Sequence, residues 1–233
     1  MISVIIVAYN EEALIRSIIG ELRKQQFSPE YEIILADGGS TDATALLAEK
    51  EAIQVTICRK GKACQMNDAA KIAKGDVLFF VHADMQLPEN TLSLIQQHIG
   101  DGFDAGGFAN VFDTHNDWIK QLGTWMNFRF FDNQEQSDKG FFYGDNGIFV
   151  KKAVFERLGG FKEIPIMEDY DFSLRLRQKF KTIKIKEPRI ILSARRHIKA
   201  GFLKTRLQWI MIRKLYKWGI APEKLARWYS DIR

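Results

Sequence analysis

The sequence has few cysteines and no long apolar run, and each shortage excludes a class of protein. Its 233 residues include only Cys58 and Cys64. They lack CxxC spacing and neighbouring histidines, so they indicate two reduced thiols in a cytosolic protein rather than a zinc site or disulfide framework. No uninterrupted apolar stretch approaches the roughly 20 residues that span a bilayer. The opening MISVIIVAYNEE has no basic region before its apolar residues, so we interpret it as a strand and not a signal peptide.

Two cofactor motifs are also missing after the first apolar stretch. No GxGxxG follows it, which argues against a dinucleotide-dependent oxidoreductase. The residues that do follow, NEEAL, provide no phosphate loop rich in Gly and Arg, which argues against a nucleotidyltransferase. Low-complexity tracts are absent, and 46% of the residues are hydrophobic. The composition therefore indicates one folded domain rather than a disordered chain.

The first ninety residues alternate between apolar strands and helical patterns. Apolar, β-branched stretches that predict buried strands lie at residues 2–8, 32–36, 55–58 and 77–81. The helical patterns between them predict an α/β fold, with a mainly parallel sheet and helices on both faces. The second half is less regular. It predicts a helix over residues 88–98, strands near 105–112 and 146–150, and a helix that ends over 173–180.

Polar clusters follow three of the predicted strands: NEE at 10–12, DGGSTD at 37–42 and HAD at 82–84. Because ligands bind outside the carboxyl ends of parallel strands, these clusters predict one binding site. Asp37 could accept hydrogen bonds from a ribose or base, or form an Asx turn that caps a helix. Asp84 could bind a hard cation that bridges two phosphates, or be a turn residue beside a packed His82.

Two clusters in the second half carry further candidates. MEDYDF, residues 167–172, has three acids in four positions and looks like one end of a helix at a cleft. A carboxylate there could remove the proton of an acceptor hydroxyl, or the acids could suit a helix dipole. GDNG, residues 144–147, predicts a tight turn or a ligand-contacting loop.

Charge is distributed unevenly along the chain. Residues 181–233 hold 15 of the 34 Lys and Arg but only 3 of the 29 Asp and Glu. Within them, residues 195–218 combine basic and aromatic side chains on an amphipathic helical pattern. This segment could contact an anionic membrane, bind phosphate groups of a donor or acceptor, bind nucleic acid, or pack on the core with solvated charges. Nucleic acid is the least favoured, because the rest of the chain is acidic.

The stretches VIIVAYNEE, ADGGSTDAT, GKACQMNDAA, GDVLFFVHAD, GDNGIFV, GGF and MEDYDFSLRLR occur in this order. Together they resemble glycosyltransferase family 2, whose fold is the Rossmann-like GT-A fold. The run SARRHIKAGFLKTRLQW, residues 193–209, resembles the ending of a bacterial stand-alone subgroup without transmembrane helices. The resemblance implies a single GT-A domain over residues 1–190, with a nucleotide-binding half to about residue 100 and an acceptor half after it. A basic, amphipathic helical extension would cover residues 191–233.

The family's motifs imply a role for particular residues. Nucleotide-sugar contacts are implied for Ala8, Tyr9, Asn10, Glu11, Asp37, Gly38, Lys62, Gln65, His82, Ala83 and Asp84. The acceptor side would include Gly144, Asp145 and Glu168, and Asp169 would be the catalytic base. Mn²⁺ or Mg²⁺ would bind Asp84, with His197 as a second ligand.

One position departs from the family. His82 stands where the family's DxD motif has its first Asp. A nitrogen donor near the cation would favour Mn²⁺ over Mg²⁺, although His82 could instead face the ribose or simply pack.

The resemblance implies an inverting transfer of a sugar from a nucleoside-diphosphate sugar to an acceptor hydroxyl. The two reduced thiols indicate a cytoplasmic enzyme, residues 195–218 could contact the inner membrane face, and no nucleic-acid partner is expected. The alternative is a non-catalytic nucleotide-sugar-binding or membrane-surface scaffold protein of the same fold. The presence of Asp37, Asp84 and Asp169 together favours the enzyme.

Overall fold

A computed structural model describes residues 1–114, 118, 121–123, 125, 142–193 and 201–229. Its strands are β1 Ile2–Ala8, β2 Tyr31–Asp37, β3 Gln54–Ile57, β4 Val77–His82, β5 Met85–Gln86, β6 Ala105–Asp113, β7 Ile148–Lys151 and β8 Thr182–Ser193. Its helices are α1 Ile15–Arg23, α2 Thr44–Lys50, α3 Lys62–Ile72, α4 Thr91–Gly100, α5 Lys152–Arg157, α6 Glu168–Lys179, α7 Phe202–Lys217 and α8 Pro222–Trp228. A 3-10 turn covers Gly144–Asn146.

The strands form one mixed sheet in the order β3-β2-β1-β4-β7-β6-β8-β5. The first four strands in the chain pair in parallel, β2 with both β1 and β3, and β1 with β4. Beyond β4 the sheet is mixed. Strand β7 runs antiparallel to both β4 and β6, whereas β6 and β8 are parallel. The predicted α/β fold is confirmed, with most of the parallel pairing in the first ninety residues.

Strand β1 shows why the sheet is covered on both faces. All seven of its residues are buried, and their side chains alternate between two core clusters. Val4 and Ile6 belong to the cluster that contains the apolar face of α1. Ile5 and Val7 belong to the cluster that contains Met66 of α3. A strand between two layers of helices needs a nearly continuous apolar sequence, and β1 has one, with Ser3 as its single polar residue.

Strand β8 was not predicted from the sequence. It is twelve residues long, but its middle carries Lys186, Glu187 and Pro188, which interrupt any regular apolar alternation. The pairing with β6 shifts register between Phe108 and Asn110, opposite this part of β8. A register irregularity is where a sheet tolerates proline, since proline donates no ladder hydrogen bond. The strand continues to Ser193, past the boundary at residue 190 that the sequence predicted.

Helices α7 and α8 pack against the body of the domain. Phe202, at the start of α7, meets Phe112 of β6 edge to face, with ring centres 5.6 Å apart. Further along, Ile212 of α7 and Leu225 of α8 share a buried cluster with Tyr170 of α6. Helices α7 and α8 are therefore attached through apolar contacts to β6 and to α6, the helix that carries the MEDYDF motif. In the described ranges, no helix has both the length and the apolarity needed to cross a membrane.

Candidate active site

A cavity of about 710 Å³ opens at the carboxyl ends of the parallel strands. Its walls come from the loops after β1, β3 and β4, the 3-10 turn, the start of α6, and helices α7 and α8. Predicted site residues that line it are Ala8, Tyr9, Glu11, Lys62, Gln65, His82, Ala83, Asp84, Gly144, Asp145, Glu168 and Asp169. The motifs predicted for the donor, which end at Asp84, and those predicted for the acceptor, which begin at Gly144, therefore share one cavity although they are distant in the chain.

Three predicted nucleotide-binding residues, Asn10, Asp37 and Gly38, are not among those that line the cavity. Asp37 is buried, and its Oδ2 accepts hydrogen bonds from the N–H groups of Gly39 and Ser40, at 3.0 and 2.8 Å. Its Oδ1 accepts another from the Ser40 hydroxyl at 2.5 Å. These contacts are those of an Asx-type turn. The structure thus gives Asp37 a loop-forming role, and its contact with a nucleotide base stays a prediction.

The loops after β1 and β2 are tied to each other. Asn10, at a positive φ of 56°, donates its N–H to the Ser40 hydroxyl at 2.9 Å. Its side-chain oxygen accepts the N–H of Thr41 at 2.8 Å, and the N–H of Glu11 reaches Thr44 Oγ1 at 2.8 Å. The two strand-end motifs are therefore one interlocked unit, which fixes the cavity wall formed by Tyr9 and Glu11.

Gln65 joins this unit to helix α3. Its buried side-chain amide donates to the carbonyl oxygens of Ala8 and Ala36, at 2.7 and 2.9 Å. A Cβ at Gly38 would lie only 2.9 Å from the Gln65 side chain. Gly38 is therefore needed for packing, and Gln65 joins β1 and β2 at the point where both strands end.

Two lysines, Lys60 and Lys62, line the cavity next to the loop after β3. Lys60 lies over the ring of Tyr9, with its Nζ 4.6 Å from the ring centre. Lys62 begins α3 and faces the acids of the cavity, since its charge lowers the pKa of both Asp145 and Asp169. Two lysines beside a strand-end cleft suit a ligand with phosphate groups.

Asp84 follows β4 and lies half-buried on the cavity wall. Its backbone oxygen accepts the N–H of Ser193 at 3.3 Å, which fixes the loop against the end of β8. Among the described residues, no three His, Cys, Asp or Glu side chains converge on a point that could hold a metal ion. Asp84 fits a cation that takes its other ligands from diphosphate and water, as Mg²⁺ commonly does. His197, the second predicted ligand, lies outside the described residues.

The 3-10 turn brings His82 and Asp169 together. A Cβ built on Gly144 would lie 2.8 Å from His82 Nε2 and 3.5 Å from Asp169 Oδ2. Only glycine leaves room for both side chains at this point. The imidazole therefore lies beside the acceptor-side turn, two residues along the chain from Asp84.

Asp169 is held by main-chain donors at the start of α6. Its Oδ2 accepts the N–H of Gly144 and its Oδ1 accepts the N–H of Tyr170, both at 2.6 Å. Burial, and then the neighbouring charge of Glu168, raise the pKa of the Asp169 carboxyl above its ordinary value. The two N–H groups and Lys62 act in the opposite direction. A carboxylate with a raised pKa is a stronger base than an ordinary aspartate.

Asp145 is the second carboxyl of the cavity with a perturbed proton affinity. Burial raises the pKa of Asp145 to about 6, the charge of Arg206 lowers it, and that of Asp169 raises it. The turn that carries Asp145 is fixed by Asn146, whose side chain accepts the N–H of Tyr143 at 2.9 Å and donates to the Phe108 carbonyl at 2.9 Å. The cavity thus contains two half-buried aspartates, Asp145 and Asp169, whose pKa values are both raised.

The third acid of MEDYDF does not face the cavity. Asp171 is buried and accepts hydrogen bonds from Lys162 Nζ and Arg175 Nε, both at 2.6 Å, and from the Tyr216 hydroxyl at 3.0 Å. Arg175 also donates to two backbone carbonyls of the loop before α6. Asp171 therefore connects α6 to that loop and to α7, which positions the helix end that carries Asp169.

Helix α7, helix α8 and the residue directly after α8 supply cavity residues that were not predicted from the sequence: Thr205, Arg206, Trp209, Arg213, Ala226 and Tyr229. Arg213 donates to the hydroxyl of Tyr143 at 2.9 Å, and the rings of Trp209 and Tyr229 lie 4.8 Å apart. Arg206, Trp209 and Arg213 are three and four residues apart, which puts them on one helical face. That spacing was the available signal, but the sequence alone could not tell which face turns inward.

The comparisons with known proteins agree with this arrangement. A family model described as Glycosyl transferase family 2 matches residues 3–159. The chain belongs to glycosyl transferase family 2. A relative from Nostoc sp., beta-monoglucosyldiacylglycerol synthase, is 26% identical over 192 residues, which is 75% of this chain and 41% of that protein. The chain therefore spans less than half the length of this relative.

Two solved structures share the fold. The mannosyltransferase PcManGT from Pyrobaculum calidifontis, in complex with GDP-Man and Mn²⁺, matches 95% of this chain and 66% of its own, with a TM-score of 0.71 and 20% identity. S. aureus TarS 1–349, in complex with UDP, matches 82% of this chain and 60% of its own, with a TM-score of 0.65 and 19% identity. At these identities the similarity establishes the fold, and the predicted GT-A architecture of a family 2 protein is confirmed.

Proposed function

We propose that this protein is an inverting glycosyltransferase that moves a sugar from a nucleoside-diphosphate sugar to an acceptor hydroxyl. The observation that carries the proposal is the shared cavity, which is lined both by Asp84, after β4, and by Asp169, at the start of α6. A transferase needs a group that neutralises the leaving diphosphate and a base that deprotonates the acceptor. Family 2 membership supports this division of roles.

The donor side would consist of the loops after β1, β3 and β4. Tyr9, Glu11, Lys60 and Lys62 would line the nucleotide and its phosphates. Structural neighbours bound to UDP, and to GDP-Man with Mn²⁺, support a nucleoside diphosphate sugar as the donor. Asp84 would hold Mn²⁺ or Mg²⁺ against the diphosphate, where the bound cation supplies Lewis-acid stabilisation of the leaving group.

On the acceptor side, Asp169 would take the proton of the attacking hydroxyl. The hydroxyl oxygen forms its new bond to the anomeric carbon on the face opposite the leaving diphosphate, and the bond from that carbon to the diphosphate oxygen breaks. The proton ends on Asp169 and the electron pair leaves with the diphosphate, so the anomeric configuration inverts. Gly144 holds the base through its N–H, while Asp145 and Glu168 would shape the acceptor pocket.

The role of Asp84 is tested by calorimetric titration of nucleotide sugars and nucleoside diphosphates, with and without Mn²⁺. We expect one donor to bind more tightly with Mn²⁺, and Asp84→Ala to weaken that binding at least about tenfold, because a lost metal ligand removes more than a kcal/mol of binding free energy. Asp101→Ala removes an exposed carboxylate outside the cavity and is the matched control. Equal donor affinities of wild type and Asp84→Ala in the presence of Mn²⁺ would contradict the proposal that Asp84 is a metal ligand.

The same titration tests the alternative of a non-catalytic protein. Donor binding without any transfer or donor hydrolysis, by a folded protein offered a panel of acceptors, would favour a nucleotide-sugar-binding scaffold. Two features favour the enzyme. They are the raised pKa of Asp169 and its fixed position beside Gly144, neither of which a passive binding site needs.

The acid limb of the pH–rate profile is a separate prediction. Because burial and Glu168 raise the pKa of Asp169, the base is lost by protonation as pH falls through this raised value. We expect kcat/KM to decline well above pH 4, the region of an ordinary aspartate. Lys62→Gln removes a charge that lowers this pKa, so the acid limb should move to higher pH. If kcat/KM instead declined near pH 4, and did so at the same pH in wild type and in Lys62→Gln, Asp169 would not be the base.

A cytoplasmic location is also part of the proposal. It is supported by Cys58 and Cys64, which are both free thiols, as expected in a reducing compartment. Contact with the inner face of a membrane would use the C-terminal helical segment. Immunodetection of the protein in cytosolic and membrane fractions tests the location, and recovery from a secreted fraction would contradict it.

A further inference from the structure

Helix α7 has two faces of different character. One lines the cavity, and Phe202, Thr205, Arg206 and Ile212 are buried. The other exposes Leu203, Leu207 and Met211, with 48%, 56% and 49% of their surface accessible. These three residues are four positions apart, so they form a continuous row along the helix. Trp218, directly after the helix, is 78% exposed and extends the row. We call Leu203, Leu207, Met211 and Trp218 the apolar stripe.

Lysines border the apolar stripe. Lys204, Lys214 and Lys217 are exposed on the same helix, and α7 contains no acidic residue in its sequence FLKTRLQWIMIRKLYK. Helix α8 adds an exposed Arg227 and Trp228, of which Trp228 is 55% accessible. Exposed leucines and tryptophans between lysines are typical of helices that lie in the interface of an anionic bilayer.

The apolar stripe could contact either a lipid surface or a second copy of this chain, and the charges around it distinguish the two. A second copy of this chain, related by a twofold axis, would bring the same lysines together on both sides of the contact. That arrangement costs electrostatic energy, whereas anionic headgroups complement every lysine around the stripe. The apolar side chains alone would fit either a lipid surface or a second copy, so the lysines around the stripe are what favours the lipid surface.

We propose that the apolar stripe docks on an anionic lipid surface and that the acceptor hydroxyl belongs to a molecule presented by that surface. The second part rests on the proposed glycosyl transfer. Its physical basis is that Arg206, Trp209 and Arg213 line the cavity from the same helix that carries the stripe. A helix with its side chains is about 10 Å across, so a docked stripe holds the cavity within reach of lipid headgroups.

Vesicle co-sedimentation of the full chain tests the docking. We expect binding to vesicles of phosphatidylglycerol and phosphatidylcholine, little binding to phosphatidylcholine alone, and weakening as salt is raised. Leu207→Ser should weaken binding by about tenfold, since it removes one buried leucine from the contact. The matched control is Leu46→Ser on α2, where the leucine is 52% exposed at the opposite end of the sheet and should not matter.

The lysines give an independent variant. Lys204→Gln combined with Lys214→Gln should weaken binding to the anionic vesicles by roughly 25-fold, from about fivefold per lysine near an anionic surface. Addition of the anionic vesicles should also shift the emission of Trp218 to shorter wavelength, and Trp218→Phe should remove most of that shift. Both changes lie outside the cavity, so donor binding in the calorimeter should remain that of wild type.

Several outcomes would overturn the docking. They are failure of the wild type to bind anionic vesicles at low salt, equal losses in Leu207→Ser and Leu46→Ser, or a change of oligomeric state in Leu207→Ser without a change in vesicle binding. Asp84→Ala separates the two proposals, because it should lose donor binding and keep vesicle binding. Docking without donor binding by wild type would contradict the proposed function alone. Equal transfer to a soluble and a vesicle-borne acceptor hydroxyl would contradict the inferred acceptor class.

Discussion

Asp169→Asn is expected to lower kcat by roughly 10²- to 10⁴-fold while the donor still binds, because removal of a general base has effects of this size. The amide oxygen of asparagine can still accept the N–H of Gly144, but the amide cannot take a proton from the acceptor hydroxyl. The variant should therefore fold and keep the cavity geometry. Steady-state kinetics give kcat, and calorimetric titration with the donor gives the binding constant.

Asp145→Asn is the matched control, because Asp145 is the other cavity aspartate with a raised pKa. It lies on the 3-10 turn, whereas Asp169 lies at the start of α6 and is fixed by two main-chain N–H groups. We expect the loss in kcat to be much smaller for Asp145→Asn than for Asp169→Asn. The reverse order would make Asp145 the base. Loss of donor binding in a folded Asp169→Asn protein would assign that residue to the donor instead.

Asp171→Ala is expected to lower the free energy of unfolding by about 3 kcal/mol, because it removes the shared acceptor of three donors in a buried network. This value is at the lower end of the range expected when one partner of a buried ion pair is removed, because the two basic partners of Asp171 can be satisfied in other ways. Lys162 is 57% exposed and can return to water, and Arg175 keeps its hydrogen bonds to the carbonyls of Leu158 and Gly160. Urea denaturation followed by circular dichroism measures the change.

The comparison variant is Glu187→Ala, which removes an exposed ion pair with Arg189 in which the glutamate is 69% accessible. Exposed pairs contribute less than about 1 kcal/mol, so this variant should unfold almost like wild type. If Asp171→Ala were no less stable than Glu187→Ala, the network around Asp171 would not be what holds α6 in place. Because Asp171 positions the helix end that carries Asp169, we also expect kcat to fall in this variant while donor affinity is retained.

The parallel half of the fold could be predicted from the sequence because its signal is local. Strands such as β1 are almost entirely apolar, and the polar residues at their carboxyl ends follow directly in the chain. Strand β8 carries no such signal, because charged residues and Pro188 lie in its middle and its register is set by β6. Its existence depends on a partner strand that is distant in sequence, and local patterns do not contain that information.

The candidate site was predicted in part for a similar reason. Family motifs brought Asp84 and Asp169 to attention, and both line the cavity. Motifs could not tell that Asp37 is engaged by its own loop or that Gln65 joins two strand ends, because hydrogen-bond partners are decided by tertiary structure. Nor could they tell that Arg206 turns inward, since both faces of α7 are basic and apolar in sequence.

The support of Asp169 by the N–H groups of Gly144 and Tyr170 has a consequence for how acceptor preference can diverge. Main-chain donors do not depend on which side chains surround them, so the orientation of this carboxylate is insulated from substitutions on the facing helices. Positions such as Trp209 and Tyr229 can vary and reshape the cavity wall while the carboxylate keeps its direction. The backbone therefore sets the direction of the Asp169 carboxylate, whereas the side chains that form the rest of the cavity wall can change.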